Sequence, residues 1–267
     1  MCAQLGEQPE GIGISCGGPL DSRRGVILSP PNLPGWDDVP ISDWFHNRYG
    51  VPVFLQNDAN ACAVAEWRFG AGRGCRDMLF LTFGTGLGAG LILDGRLYGG
   101  ACDLAGEVGH IRLAPSGPVG YGKAGSFEGF CSGGGIARLA KDMLQSHLRD
   151  GGDTALTTDD LSAARIAALA LQGDMFCRSV YALCGEKLGE GLAILVDILN
   201  PERIVIGSIF ARAESLLREG MERALRREAL GAAAQCCEVV PAELGESLGD
   251  LAALGVLQIG LEGLSCK

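Results

Sequence analysis

Met78-Leu79-Phe80-Leu81-Thr82-Phe83-Gly84-Thr85-Gly86-Leu87-Gly88-Ala89-Gly90-Leu91-Ile92-Leu93 sets two β-rich runs, 79–83 and 91–93, around a glycine- and threonine-rich loop at 84–90. Glycine lets backbone N–H groups approach a ligand closely, and a threonine hydroxyl adds a donor, so this is the chemistry of a phosphate cradle. It is not a P-loop, because no Gly-Lys-Ser/Thr follows and β-type residues resume where a helix should begin. A wide turn or a bulge explains the same residues in isolation. The rest of the chain has to decide.

At 267 residues the chain is long enough for one large domain or two moderate ones. Its 42 glycines fall at strand and helix ends and form no repeat, which implies many tight turns. A formal charge of −10 without a Lys/Arg cluster argues against binding to nucleic acid or an anionic membrane and favours small-molecule partners. The 11 cysteines form no CxxC pair, so they read as reduced, half-buried apolar residues. Residues 1–7 have neither a basic nor an apolar leader region, and no stretch is read as long enough to span a bilayer. A reducing, cytoplasmic location is the expectation.

Gly11–Ser15 reads as a strand leading into a Gly17-Gly18-Pro19 turn, with a second short strand at 26–28. A helix at 41–48, capped by Ser42 or Asp43, precedes a strand at 53–55 and a helix from Ala59. This alternation predicts an α/β layered domain with ligands at the carboxyl ends of its strands, where Asn57 and Asp58 fall. The pattern shifts after Ala71-Gly72-Arg73-Gly74, which places a domain boundary near Gly72. Beyond a glycine-rich irregular stretch at 95–135, helices are expected at 136–148, 161–171, 176–199 and 211–228. Strands are expected at 203–206 and 238–240, and a last helix at 250–261 packs back on the first domain.

Asp58 is the leading catalytic candidate, a carboxylate at a strand end able to take a proton from a hydroxyl. Asn57-Asp58-Ala59-Asn60 taken alone favours a plain helix cap, and both roles are compatible. Glu107 and His110 lie three apart in Gly106-Glu107-Val108-Gly109-His110, where they could point together at hydroxyl groups or simply bond one another. Metal ligation there would need more ligands nearby. Glu128, in Ser126-Phe127-Glu128-Gly129, means little alone.

Taken in order, these pieces resemble the ROK family of sugar kinases and repressors, members of the actin-like ATPase superfamily. The residues that carry the likeness are Gly11 to Ile14, Gly18 to Asp21, Asn32 to Trp36, Asn57 to Asn60, the Gly84-Thr85-Gly86 hairpin, Gly106 to His110, Glu128, and Val205-Ile206-Gly207. The resemblance implies a two-domain α/β fold of the actin-like ATPase (ribonuclease H-like) kind that closes on ATP and a hexose. Residues 1–72 with a C-terminal helix in 250–267 would form the smaller domain, bearing sugar ligands and the catalytic base. Residues 73–249 would form the larger, nucleotide-binding domain. Asp58 matches the family's base; Asn57, Glu107, His110, Glu128 and Gly18 match sugar-binding positions. Gly84, Thr85 and Gly86 match a phosphate-binding motif, and Gly207 with Ser208 the adenosine region. ATP with Mg²⁺ would supply the phosphoryl group, and a homo-oligomer is expected.

Three departures qualify the resemblance. The family's structural zinc joins the motif's histidine to three cysteines, and here Val119, Tyr121 and Ser126 replace the thiolates in a loop one residue shorter. No structural zinc is therefore expected, with Tyr121, Phe127 and Phe130 packing that loop instead. Gly17 stands where the family's first glycine loop has proline, which loosens that turn and bears on sugar preference. The leading hairpin with its Asp-x-Gly-Gly-Thr phosphate motif does not precede Gly11, so the first domain is expected to be incomplete at its N-terminus. The leading function is an ATP-dependent, glucokinase-like sugar kinase. The alternatives are the sugar-sensing domain of a repressor, or a non-catalytic sugar-binding remnant.

Overall fold

The computed structural model describes residues 9–265. The reading of residues 1–7, and Cys2 and Cys266, lie outside the described residues. In chain order the first elements are β1 (Ile12–Cys16), β2 (Leu20–Asp21), β3 (Val26–Ile27), α1 (Ile41–Tyr49), β4 (Val53–Asn57) and α2 (Asp58–Phe69). Next come β5 (Met78–Phe83), β6 (Leu87–Leu93), β7 (Arg96–Leu97), a 3-10 turn (Val108–His110), β8 (Val119–Gly120), β9 (Lys123–Ala124), α3 (Phe127–Phe130) and α4 (Gly133–Arg149). The chain continues through α5 (Ala163–Leu171), α6 (Met175–Leu199), β10 (Arg203–Ile206), α7 (Ile209–Glu228), α8 (Gly231–Cys236), β11 (Glu238–Pro241) and α9 (Leu248–Ser265). One compact unit comprises Met1–Phe80, Gly90–Gly106 and Glu243–Lys267; the other comprises Leu81–Ala89 and Glu107–Ala242.

In the first unit β1 and β4 pair in parallel, from Ile12 opposite Val53 to Cys16 opposite Asn57. Alternation along β4 sends Leu55 into a core with Leu20, Ile27 and Ile41, and Phe54 to the other face, against Ala61, Ala65, Ala252 and Val256. That second face is covered by α2 and α9. The approach of α9 is so close that a Cβ on Gly13 would stand 2.0 Å from the Ala253 carbonyl oxygen. Only glycine fits there. Helix α1 starts at Ile41, where the sequence reading put it, but neither Ser42 nor Asp43 is its cap. It follows Pro40 with no side-chain cap, and Ser42 and Asp43 lie inside its first turn.

The expectation that no segment reaches membrane-spanning length is corrected by Gly245–Ser265, which is long and apolar enough by composition. Its buried residues Ala252, Gly255 and Val256 face α2 and the β1–β4 pair, which accounts for part of that apolarity.

Glu66 lies in α2 and is fully buried. Its carboxylate accepts from the N–H groups of Ala71 at 2.8 Å, Glu243 at 3.1 Å and Leu244 at 3.0 Å. Three backbone donors satisfy what would otherwise be a costly buried charge, and the bond set ties the end of α2 to the segment that leads into α9.

In the second unit β10 and β11 pair in parallel, and the five-stranded sheet runs β11-β10-β5-β6-β7. Residues of β5 and β6 belong to both units. The 25-residue α6 is buried along most of its length and packs on α7. Gly185 and Gly189 let it approach: a Cβ on either would stand 2.5 Å from the Leu217 oxygen or 2.2 Å from the Met221 oxygen. The hairpin loop is shorter than expected, since β6 already begins at Leu87 and only residues 84–86 turn. Gly88 and Gly90 are strand residues. Helix α8 was missed in sequence, because six residues starting at a glycine give no measurable period.

Replacing Glu66 with Ala removes a fully buried carboxylate together with its hydrogen bonds to the N–H groups of Ala71, Glu243 and Leu244, and stability falls by about 3 kcal/mol in urea unfolding. Gly13→Val overpacks the β1–α9 contact, with an expected loss of about 3 kcal/mol on the same measurement.

Candidate functional site

The first unit builds its candidate residues at one strand-to-helix junction. Asn57, the last residue of β4, is the cap of α2, and its Oδ1 accepts from the N–H groups of Ala59 at 2.9 Å and Asn60 at 3.5 Å. The four residues in sequence read as a helix cap, and the capping side chain is that of Asn57. Asp58 is the first helical residue; its Oδ1 accepts from the Ala59 N–H at 2.8 Å, and no side chain among the described residues donates to it. Burial raises its pKa above the usual aspartate value, opposed by hydrogen bonds from the backbone of Ala59 and of Asp58 itself.

Among the described residues no cation pairs with this carboxylate. Its neighbours include two thiols: burial first, and then the Asp58 charge, push Cys62 up to about 12 and raise Cys16, so both stay neutral. The Gly17–Gly18 backbone lines the same junction. A Cβ on Gly17 would lie 4.0 Å from Asp58 Oδ2, and one on Gly18 3.2 Å from Asn57 Nδ2. Gly18 and Pro19 are joined by a cis peptide bond.

Behind the junction stands an amide pair to which the sequence reading gave no role. Gln56 Oε1 accepts from the Asn57 N–H at 2.8 Å and from Asn60 Nδ2 at 3.1 Å, with Asn60 only 1% exposed. Its available signal was two amide residues four apart across the strand-to-helix junction, Gln56 in β4 and Asn60 in α2.

The second unit gathers the other candidates. Gly84, Thr85 and Gly86 form the β5–β6 turn, closed by a bond from the Gly84 N–H to the Gly86 oxygen at 3.1 Å. Thr82 Oγ1 bridges the two strands, accepting from the Gly88 N–H at 2.9 Å. Glu107 and His110 are exposed on either side of buried Val108 and Gly109, and their side chains do not bond one another. Glu128, 8% exposed, sits in the short helix α3, whose first turn is capped by Ser126 Oγ accepting from the Gly129 N–H at 3.1 Å. Gly207 donates its N–H to the Leu81 oxygen at 3.0 Å. Ser208 precedes α7 at φ 50°, and its Oγ would lie 3.5 Å from a Cβ on Gly84. The structure therefore brings Asn57, Asp58 and Gly18 together in one unit, and Gly84–Gly86, Glu107, His110, Glu128, Gly207 and Ser208 together in the other.

The family's zinc does not fit the residues present. Val119 and Tyr121 are exposed, and Ser126 is buried with its hydroxyl used as the α3 cap. Among the described residues no group of three or more His, Cys, Asp or Glu could hold a metal ion. Residues 119–124 form the β8–β9 hairpin, turned at Tyr121 (φ 46°) and Gly122 (φ 72°), two positive φ values that match the twist of a two-residue hairpin. Lys123 Nζ donates to the His110 carbonyl at 2.6 Å, and the Tyr121 ring lies 5.0 Å from that of His110. The expected aromatic packing needs revision. Phe130 does pack against the loop at Gly117, but Phe127 packs on Gly191 of α6, and Tyr121, itself 69% exposed, sets its ring beside that of the exposed His110.

The family model described as the ROK family matches residues 1–258. A glucokinase of Halalkalibacterium halodurans is 35% identical over 90% of the chain and 73% of its own length. A xylose repressor of Caldicellulosiruptor bescii is also 35% identical, over 74% of the chain and 50% of its own length. Among solved structures, a ROK family glucokinase from Streptomyces griseus in complex with glucose and AMPPNP superposes with a TM-score of 0.75. That glucokinase is 31% identical, over 96% of the chain and 83% of its own. The α/β architecture is that of these actin-like ATPase folds. Kinases and repressors both stand among the relatives, and the match to the family model runs over nearly the whole sequence: the chain belongs to the ROK family.

Proposed function

We propose that the chain belongs to an ATP-dependent hexose kinase in which Asp58 is the general base. The observation that carries this reading is the division of labour at the strand end. Asn57 caps α2, the Asp58 carboxylate receives no side-chain donor among the described residues, and burial holds it closer to the operating pH than an exposed aspartate. Asn57, Gly18, Glu107, His110 and Glu128 recognise the sugar hydroxyls. Gly84, Thr85 and Gly86 receive the nucleotide's phosphates, and Gly207 and Ser208 its adenosine end.

In the proposed reaction a sugar hydroxyl oxygen forms the new bond to the γ-phosphorus of ATP. The bond from that phosphorus to the oxygen bridging to ADP breaks, and the hydroxyl proton passes to Asp58. Magnesium arrives with the nucleotide and neutralises phosphate charge. The backbone N–H groups of the glycine turn suit the phosphates because they add donors without occupying space. A carboxylate facing no cation keeps its affinity for a proton, which a base requires.

A second reading is the sugar-sensing part of a repressor, supported by a xylose repressor as similar in sequence as the glucokinase. Release of ADP discriminates the two. A coupled assay over glucose, mannose, allose, fructose and N-acetylhexosamines is expected to find sugar-dependent ADP release. Asp58→Asn is expected to lower kcat/KM by about 10²- to 10⁴-fold. Sugar binding without turnover would favour the repressor reading, and an unimpaired Asp58→Asn enzyme would remove Asp58 as the base.

Because the base must be deprotonated, kcat/KM should fall as pH drops through a pKa raised above the aspartate range, so the acid limb lies higher than an exposed aspartate gives. Stability carries the opposite sign. A raised folded-state pKa means that holding the ionised carboxylate costs folding free energy once pH exceeds that value. Asp58→Asn should therefore melt at a higher temperature than the wild type near neutral pH, with the gap closing at acid pH.

A further inference from the structure

The turn proposed to receive phosphates is held from two sides by the segment that carries Glu128. At its start the Gly84 carbonyl accepts from the N–H of Gly133, the first residue of α4, at 2.8 Å. At its end the buried N–H of Leu87 donates to Glu128 Oε2 at 3.2 Å. The packing around that bond is tight. A Cβ on Gly86 would lie 3.0 Å from Glu128 Oε2, and one on Gly109 would lie 2.3 Å from the Leu87 oxygen and 3.2 Å from Glu128 Cβ. Glu107 and His110 flank that same Gly109. Two proposed sugar-recognition elements, residues 107–110 and Glu128, are thus built directly against the proposed phosphate turn.

Glu128 has one oxygen committed and one available. Oε2 holds Leu87, while Oε1 has no hydrogen-bond partner among the described residues. A hydroxyl that bonds Oε1 fixes the carboxylate plane, and with it the acceptor that anchors the end of the turn. We infer that Glu128 is a positioning residue for the Gly84–Leu87 turn as well as a sugar ligand, so that sugar and nucleotide affinities are coupled through its carboxylate. The inference rests on the sugar-kinase reading and adds to it a physical route between the two substrates. The coupling is positive and reciprocal, since each ligand orders a group that the other needs.

Calorimetry with AMPPNP and magnesium, with and without saturating glucose, tests it. In the wild type, glucose should tighten AMPPNP binding about fivefold or more. Without any sugar, Glu128→Ala should weaken AMPPNP binding by roughly tenfold, the weight of one charge-assisted bond to the turn. Glu128→Gln keeps an oxygen for the Leu87 N–H and should restore that affinity while sugar binding stays weak. His110→Ala should weaken glucose binding but retain the glucose effect on AMPPNP. Glu128→Ala that binds AMPPNP as tightly as wild type without sugar overturns the inference, since a residue serving the sugar alone would behave that way. So does wild type whose AMPPNP affinity is indifferent to glucose, a comparison that stands even if Glu128→Ala does not fold. Wild type that binds neither ligand overturns the kinase reading beneath it, a different result.

Discussion

The side-chain oxygen of Asn57 accepts from the first free N–H groups of α2, and what Asp58 can do depends on that cap. A helix start has four backbone donors in search of acceptors, and the nearest carboxylate is drawn into satisfying them. Here the amide one residue earlier shares that work, since Asn57 Oδ1 and Asp58 Oδ1 both accept from the Ala59 N–H and Asn57 alone reaches Asn60. Asp58 then sits in the first turn, where the helix dipole favours the anion and burial disfavours it, and the two influences set its proton affinity against each other. The Gln56–Asn60 amide pair fixes the angle at which this junction leaves β4. It adds no charge beside the carboxylate.

The second unit solves a different problem, which is how to hold a glycine-rich turn still without filling the space beside it, the space we propose for a phosphate. Side chains cannot brace such a turn from within. Its support comes from outside, through the Gly133 N–H at one end and the Glu128 carboxylate at the other. The β8–β9 hairpin does the corresponding work for the 107–110 segment. Lys123 donates to the His110 carbonyl and the Tyr121 ring lies beside that of His110, in a region where the resemblance to the family had implied thiolates and a metal. Hydrogen bonds and a ring contact depend on neither metal supply nor redox state.

Much of the candidate chemistry was visible in the sequence. Asn57-Asp58-Ala59-Asn60 at the end of an apolar run marked a strand-to-helix junction, because amide and carboxylate side chains favour helix starts. The Gly84–Gly86 stretch between β-branched and aromatic residues marked a turn. The motifs in order carried the family, which the match over residues 1–258 bears out. What sequence could not resolve was that Asn57 supplies the cap while Asp58 stands inside the first turn. Nor could it show that Gly88 and Gly90 continue a strand, or that Glu66 is a buried strut. Each depends on which atom of a distant segment comes within hydrogen-bond reach.

By itself, then, the order of residues determined the kinds of element and the chemistry placed at their ends, since local periodicity, caps and glycine turns act over a few positions. Tertiary structure alone decided the pairings: Glu66 with Leu244, Gly13 with Ala253, and Glu128 with Leu87. These contacts join residues tens to hundreds of positions apart, and no local pattern encodes a distance of 3 Å across such a separation. Glu128 illustrates the division. Its acidity was written in the sequence, and its grip on a backbone N–H 41 residues earlier was settled by packing.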